Sequence, residues 1–254
     1  MKHIPRKRFG QHFLTDQAMI NAIVNAIHPA QSGTLVEIGP GEGAMTYPLL
    51  AARDQLTVVE LDRDLVQRWQ ARQLDGLQIV AADALTVDYP ALTQSSPLRV
   101  VGNLPYNIST PLIFHLLSFG DQIQEMVFML QKEVVDRLCA TPNHKSYGKL
   151  SIMTQLYCHA EALFDVPPEC FDPPPKVMSA MVKLTPKAQL PDVDIFLFEK
   201  VVTAAFAQRR KTLRNTLKTL LSAAQIEAAG LDPSLRAEAL SEQDFIHLTR
   251  QLTS

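Results

Sequence analysis

Three cysteines in 254 residues, Cys139, Cys158 and Cys170, are odd in number and form no close CxxC pair. That encourages neither a disulfide framework nor a zinc site, so buried, reduced thiols are the expectation. No apolar stretch approaches the ~20 uncharged residues that span a bilayer, and the start MKHIPRKRFG leads into no signal-like apolar block. The chain is therefore expected in the cytoplasm, with no membrane partner and no metal. An excess of positive charge is also missing. The formal net charge is -2, which removes any whole-molecule electrostatic argument for nucleic acid. Internal repeats and low-complexity tracts are absent as well.

Charge is instead local. Met1 to Thr15 holds four basic residues and no acid (Lys2, Arg6, Lys7, Arg8), and Val201 to Leu221 holds five and no acid (Arg209, Arg210, Lys211, Arg214, Lys218). Hydrophobic residues at 46% and charged residues at 20% are ordinary globular values. The length suits one main domain with a small appendage.

Short apolar, β-rich runs at Thr34 to Ile38, Leu56 to Leu61, Leu77 to Ala81, Leu98 to Val101 and Met126 to Leu130 alternate with helical patterns such as Asp16 to Ile27 and Asp64 to Arg72. Strands alternating with helices predict a mostly parallel sheet of βαβ units. Two more apolar runs, Ile152 to Phe164 and Met178 to Leu184, flank the proline-dense VPPECFDPPPKV, a stiff connection. Pro186 to Asp194 reads as a linker. Ile195 to Leu221 and Ser241 to Leu252 then show helical periodicity with no strand candidate between them, and Ser241 with Asp244 is close to a capping box. The expected architecture is α/β and Rossmann-like over residues 1–185, followed by a small all-α domain over 186–254.

The first strand run leads into VEIGPGEGAMT, which satisfies G-x-G-x-x-A through Gly39, Gly41 and Ala44. A pyrophosphate approaching this loop would meet Glu42 and Glu37, so an anionic dinucleotide is poorly served. A cofactor with adenosine, an amino-acid end and a cationic sulfonium fits better, because carboxylates lower the energy of the cation. Glu60 ends the second strand run 21 positions after Gly39, where a carboxylate can accept both ribose hydroxyls. Asp83, after the third, can accept from an adenine amine, or can serve as a helix N-cap. With GNLPY, these features fall at the ends of four successive strands, the edge where open sheets bind ligands. The pocket resembles that of class I S-adenosylmethionine-dependent methyltransferases.

GNLPYNIS, Gly102 to Ser109, follows the fourth strand run. An exocyclic adenine amine is a poor nucleophile because its lone pair is delocalised into the ring. Acceptors on its two N–H groups favour a pyramidal nitrogen whose lone pair can face a methyl donor. Asn103 supplies a side-chain carbonyl, and Leu104, restrained by Pro105, can present a main-chain carbonyl. Tyr106 offers a face on which an extruded base can stack. Spacing does not separate an adenine amine from a glutamine carboxamide, nor either from a plain strand-ending turn.

RKRFGQHFL, VEIGPGEGAMT, VVELDRD, GNLPYNISTP, MLQKEV, SYGKLS, FDPPPKV and FAQRRKTLRN together resemble the bacterial small-subunit ribosomal RNA adenine dimethyltransferase family, in one order from Arg6 to about Leu240. FGQHFL, FDPPPKV and QRRKTLRN are the narrower motifs. The resemblance implies dimethylation of two adjacent adenosines in a hairpin loop near the 3′ end of 16S rRNA, within the 30S subunit or its precursor, by a chain expected to be monomeric. It implies that His12 and Leu14 join Gly39, Gly41, Glu60, Asp83 and Asn103 around the cofactor. It also implies that Phe171 clamps the target base against Tyr106, although an aromatic in so stiff a loop can equally anchor the core. Arg6, Lys7, Arg8, Arg209, Arg210, Lys211, Arg214 and Lys218 are the RNA-binding candidates. Lys211, Arg214 and Lys218 recur at helical spacing opposite Leu213, Leu217 and Leu220, which suits either a phosphate track or a solvated helix face.

Three other readings share these features. A large-subunit rRNA adenine methylase of the antibiotic-resistance type would be strongly basic. A noncatalytic ribosome-assembly factor has no need of Asn103 and Glu60. A dinucleotide-dependent dehydrogenase is disfavoured by Glu42 and by NLPY.

Overall fold

Strands with no polar face need cover on both sides, and the two central apolar runs have it. The computed structural model describes residues 12–93 and 97–253. In it Thr34–Ile38 (β2) and Leu56–Glu60 (β3) are almost wholly buried, as parallel strands sandwiched between helices must be. In chain order the elements begin with Phe13–Leu14 (β1), Gln17–Ile27 (α1), β2, Thr46–Ala51 (α2), β3, Arg63–Arg72 (α3), Leu77–Ala81 (β4), Leu98–Asn103 (β5) and Ser109–Leu117 (α4). Ile123–Gln131 (β6), Lys132–Leu138 (α5), Lys149–Tyr157 (α6), Cys158–Val166 (β7), Phe171–Asp172 (β8) and Ser179–Pro186 (β9) follow. Ile195–Phe206 (α7), Leu213–Thr216 (α8), Ala223–Ala228 (α9) and Glu242–Arg250 (α10) close the chain.

The sheet has seven strands in the order β4-β3-β2-β5-β6-β9-β7. From β4 through β6 all neighbours are parallel, and β9 runs antiparallel to β6. Successive strands leave β2 toward β3 and β4 on one side, and return beside it as β5 on the other. The crevice between β2 and β5 is thus the switch point at which open α/β sheets bind ligands. Helix α1 begins at Asp16, whose carboxylate accepts the Met19 N–H at 2.7 Å, and buries Ile20, Ile23 and Ile27 in one core with Leu35, Val58, Val101 and Val127.

The chain packs as two units. One holds the residues up to Val135 together with Glu161–Pro186, and the other holds Asp136–Ala160 together with the residues from Lys187 onward. A single cut after residue 185 does not describe this, because the segment over 136–160 packs with the C-terminal helices. There the Tyr147 hydroxyl donates to the Leu240 carbonyl at 2.7 Å, and Lys149 pairs with Glu199 at 3.0 Å. The apolar run Ile152 to Phe164 splits accordingly, its first residues lying in α6 and the rest in β7.

Other departures have local causes. The second expected strand run ends at Glu60, not Leu61, which is 53% exposed. Helical periodicity over Ile195 to Leu221 is interrupted after Phe206, and residues 208–211 form turns before the short α8. The two-residue ladder of β1 with β8 carries no periodicity that a sequence could show. The capping box at Ser241 forms: its hydroxyl accepts the Asp244 N–H at 3.2 Å, and Asp244 accepts the Ser241 N–H at 2.8 Å. None of the three cysteines forms a disulfide, and Cys158 and Cys170 are buried and Cys139 half-buried. Among the described residues no helix is long and apolar enough to cross a membrane, and no group of His, Cys, Asp and Glu could hold a metal.

Candidate active site

Register brings the sequence motifs together. Ile38 pairs with Gly102, so Gly39 and Asn103 leave β2 and β5 side by side, and Glu60 pairs with Ala81, which sets Asp83 two residues beyond the same edge. A cavity of about 590 Å³ opens there, within the range of small-molecule sites. His12, Leu14, Gly39, Gly41, Glu60, Asp83, Asn103, Leu104, Pro105, Tyr106 and Phe171 all line it.

The glycine turn is built by close packing. Gly39 N–H donates across to the Val59 carbonyl at 2.9 Å, and the Trp69 indole N–H of α3 donates to the Gly41 carbonyl at 3.0 Å. Gly43, outside the G-x-G-x-x-A reading, is the most constrained: its φ is 101°, and a Cβ there would lie 2.6 Å from the Tyr47 ring and 2.7 Å from Trp69. Its signal was the third glycine of GPGEG.

Six carboxylates line the cavity, from Glu37, Glu42, Glu60, Asp62, Asp83 and Asp172, and among the described residues no Lys or Arg does. Such a lining repels a pyrophosphate and favours a ligand that is cationic and rich in hydrogen-bond donors. Glu60 holds one oxygen on the Asp62 N–H at 2.8 Å, and burial raises its pKa against the pull of that and other backbone N–H groups. Glu37 is 1% exposed. Burial pushes its carboxyl up to about 7, the Thr46 hydroxyl opposing the rise and the Glu60 charge adding to it. Asp83 accepts the Leu85 N–H at 2.9 Å in a turn over 84–86 that no helix follows, so it caps a turn and not a helix, and the residue lines the cavity. Leu61, exposed at the rim, was not singled out from sequence, because an apolar residue at a strand end carries no signal of its own.

Across the crevice, Asn103 ends β5 with its Nδ2 donating to the His12 carbonyl at 3.4 Å. The amide nitrogen is thereby occupied, which leaves the amide oxygen as the group it can offer a ligand. Leu104 buries its side chain and donates its N–H to the Met129 carbonyl at 3.2 Å, while among the described residues its carbonyl takes no hydrogen bond. The half-buried Tyr106 ring lies 6.3 Å from the His12 ring at an interplanar angle of 24°. His12 Nδ1–H donates in turn to the Pro173 carbonyl at 2.8 Å. Phe171 is 4% exposed and packs in the core with Leu14, to which β8 pairs it, while also reaching the cavity wall.

None of the basic candidates among the described residues lines the cavity. Arg6, Lys7 and Arg8 fall outside the described residues. Arg209, Arg210, Lys211, Arg214 and Lys218 are all exposed, above the buried Leu213 and Leu217, and Leu220 is half-buried. Only Arg214 sits in α8. Arg209 lies 3.5 Å from Glu238 and also donates to the Lys145 carbonyl.

A switch-point crevice with a glycine turn, an acidic wall and an N-L-P-Y strand end defines a class I methyltransferase fold. A dimethyladenosine transferase from Plasmodium falciparum shares it with a TM-score of 0.76 at 25% identity, over 93% of this chain and 96% of that one. The 23S rRNA methyltransferase ErmE has the same fold, with a TM-score of 0.72. The family model for ribosomal RNA adenine dimethylases matches residues 2–254, and the chain belongs to that family. It is 56% identical to the ribosomal RNA small subunit methyltransferase A of Thiobacillus denitrificans over 255 residues, 99% of each chain. With the protein of the same name from Escherichia coli (strain 55989 / EAEC) it shares 50% identity over 256 residues, 98% of this chain and 94% of that one.

Proposed function

We propose that this chain dimethylates the exocyclic amines of two adjacent adenosines in the 3′-terminal hairpin loop of 16S rRNA, using S-adenosylmethionine, during small-subunit assembly. The observation that carries the chemistry is the pairing of a cavity that six carboxylates and, among the described residues, no Lys or Arg line with two hydrogen-bond acceptors on its wall, Asn103 Oδ1 and the Leu104 carbonyl. When bound, the cofactor supplies an electrophilic methyl group on a sulfonium. Glu60 accepts from the ribose hydroxyls, Asp83 from the adenine amine, and His12, Leu14, Gly39 and Gly41 form the rest of the cradle. Asn103 and Leu104 hold the two hydrogens of the target amine, so that its lone pair leaves the ring plane and points at the methyl group. Tyr106 stacks on the extruded base. No general base is needed, because the methylated ammonium is acidic enough to lose its proton to water.

Incubation with labelled S-adenosylmethionine and undermethylated 30S particles, 50S particles or naked 16S rRNA tests this. Label in 30S particles alone is expected; label in 50S particles instead, or in none of the three, refutes the assignment.

Glu60→Ala is expected to weaken S-adenosylmethionine binding by about 1–3 kcal/mol, since two hydroxyls lose a charged acceptor. Calorimetry measures it, and parental affinity in the folded variant would remove Glu60 from the cofactor site. For RNA, replacing Lys211, Arg214 and Lys218 together by alanine should lower particle affinity and flatten the slope of log affinity against log salt, with cofactor binding intact. An unchanged slope would return these residues to the ordinary solvated surface.

A further inference from the structure

One contact at the cavity rim has no part in the chemistry above. The Tyr106 hydroxyl shares a hydrogen bond of 3.0 Å with Ser179 Oγ. Ser179 is 1% exposed, opens β9 and pairs with Gln131 of β6, and it is not among the residues that line the cavity. It therefore touches no ligand there itself. At the backbone end of the same residue, the Tyr106 carbonyl accepts from Ser109 Oγ at 3.2 Å, and Ser109 is the buried first residue of α4. Two buried serines on two different elements thus hold the half-buried Tyr106, Ser179 at its hydroxyl and Ser109 at its main-chain carbonyl.

The physical consequence concerns ordering. A tyrosine on a strand-end loop has several staggered rotamers, and a base that stacks on it must first select one. A hydrogen bond to a hydroxyl fixed in the sheet makes that selection before the base arrives, so less of the stacking energy is lost to ordering the ring. Burial keeps the pair together, because either hydroxyl left without its partner would be costly.

We infer that Ser179 is a positioning residue for substrate capture, acting through the Tyr106 hydroxyl to hold the ring in its base-stacking orientation. The inference rests on the reading of Tyr106 as the platform for the target base. Ser179 belongs to neither the cofactor cradle nor the amine acceptors, so its loss acts on substrate capture rather than on methyl transfer.

The test is steady-state methylation of undermethylated 30S particles by Ser179→Ala, Tyr106→Phe and the double variant, with Tyr106→Ala as control. Cofactor affinity is measured by calorimetry. Each single variant should raise KM for the particle by about five- to tenfold, the size of one net hydrogen bond, with kcat and cofactor affinity within twofold of the parent. The double variant should match either single one, because both remove the same bond. A parental KM in Ser179→Ala, multiplied effects in the double variant, or an equal loss of cofactor affinity would each overturn the inference. If Ser179→Ala does not fold, Tyr106→Phe cuts the same bond from the open side and must raise KM by itself. Parental kcat/KM in Tyr106→Ala would instead sink the platform reading on which the inference stands.

Discussion

Asn103→Ala is expected to slow methyl transfer by about 10²–10³-fold, equivalent to about 2.7–4 kcal/mol in barrier, while cofactor affinity changes far less. The reason is the division of labour in the amide. Its nitrogen is held by the His12 carbonyl, and in the proposed reaction its oxygen accepts one of the two amine hydrogens that must be constrained to localise the lone pair. Alanine leaves the Leu104 carbonyl as the single acceptor, so the amine can relax toward its planar, unreactive form. That difference matters most as the nitrogen becomes pyramidal, which places the loss in the transition state. Single-turnover methylation of undermethylated 30S particles at saturating S-adenosylmethionine reads it directly. A parental rate in the folded variant would show that Asn103 is not an acceptor for the reacting amine.

The largest effect on stability is expected at the opposite end of the same strand. Arg99 is fully buried, pairs with Glu125 Oε1 at 2.6 Å, and donates to the carbonyls of Ile27, the last residue of α1, and of His28 and Gln31 just beyond it. Lys183 takes the other Glu125 oxygen at 2.9 Å. Burial alone would raise the Glu125 pKa, but the two cations outweigh it and hold the carboxyl below its ordinary value. Arg99→Ala removes the buried partner and leaves the Ile27 carbonyl and much of a carboxylate uncompensated, at about 3–5 kcal/mol, whereas the His28 carbonyl keeps the Gln31 N–H and the Gln31 carbonyl keeps Arg53. Thermal unfolding should shift downward by on the order of 10 °C. The double variant Arg99→Met with Glu125→Leu should recover most of the loss, because no buried charge is then stranded. If the single variant melts with the parent, the pair does not hold β5 to α1.

Legibility in the sequence followed from how local each feature is. The strands β2, β3 and β4 could be read because they are short runs dominated by aliphatic and β-branched residues, and the N-cap at Ser241 because its partner lies three residues away. Gly39, Glu60, Asp83 and Asn103 could be read as one site because strand ends in a parallel sheet share an edge whatever the details of packing. The run Ile152 to Phe164 gave no sign of where helix yields to strand, since an apolar helix buried nearly all round has the same composition as a buried strand. The stretch from Ile195 to Leu221 misled for the converse reason: its leucines keep helical spacing through a turn at 208–211 that carries no Pro or Gly to announce it.

The sequence by itself determined the class of fold, the edge at which the site forms, and the chemistry of its residues, because these depend on residue type and on the alternation of strands and helices. Only the tertiary structure decided which atoms those residues have left to offer. His12, 91 positions from Asn103, occupies the amide nitrogen and so frees the oxygen. Ser179, 73 positions from Tyr106, fixes the ring. Phe171 lies mostly in the core beside Leu14 because β8 pairs with β1. Hydrogen bonds and packing between segments far apart in the chain leave no periodicity or spacing behind, so their outcome exists only once the chain has closed on itself.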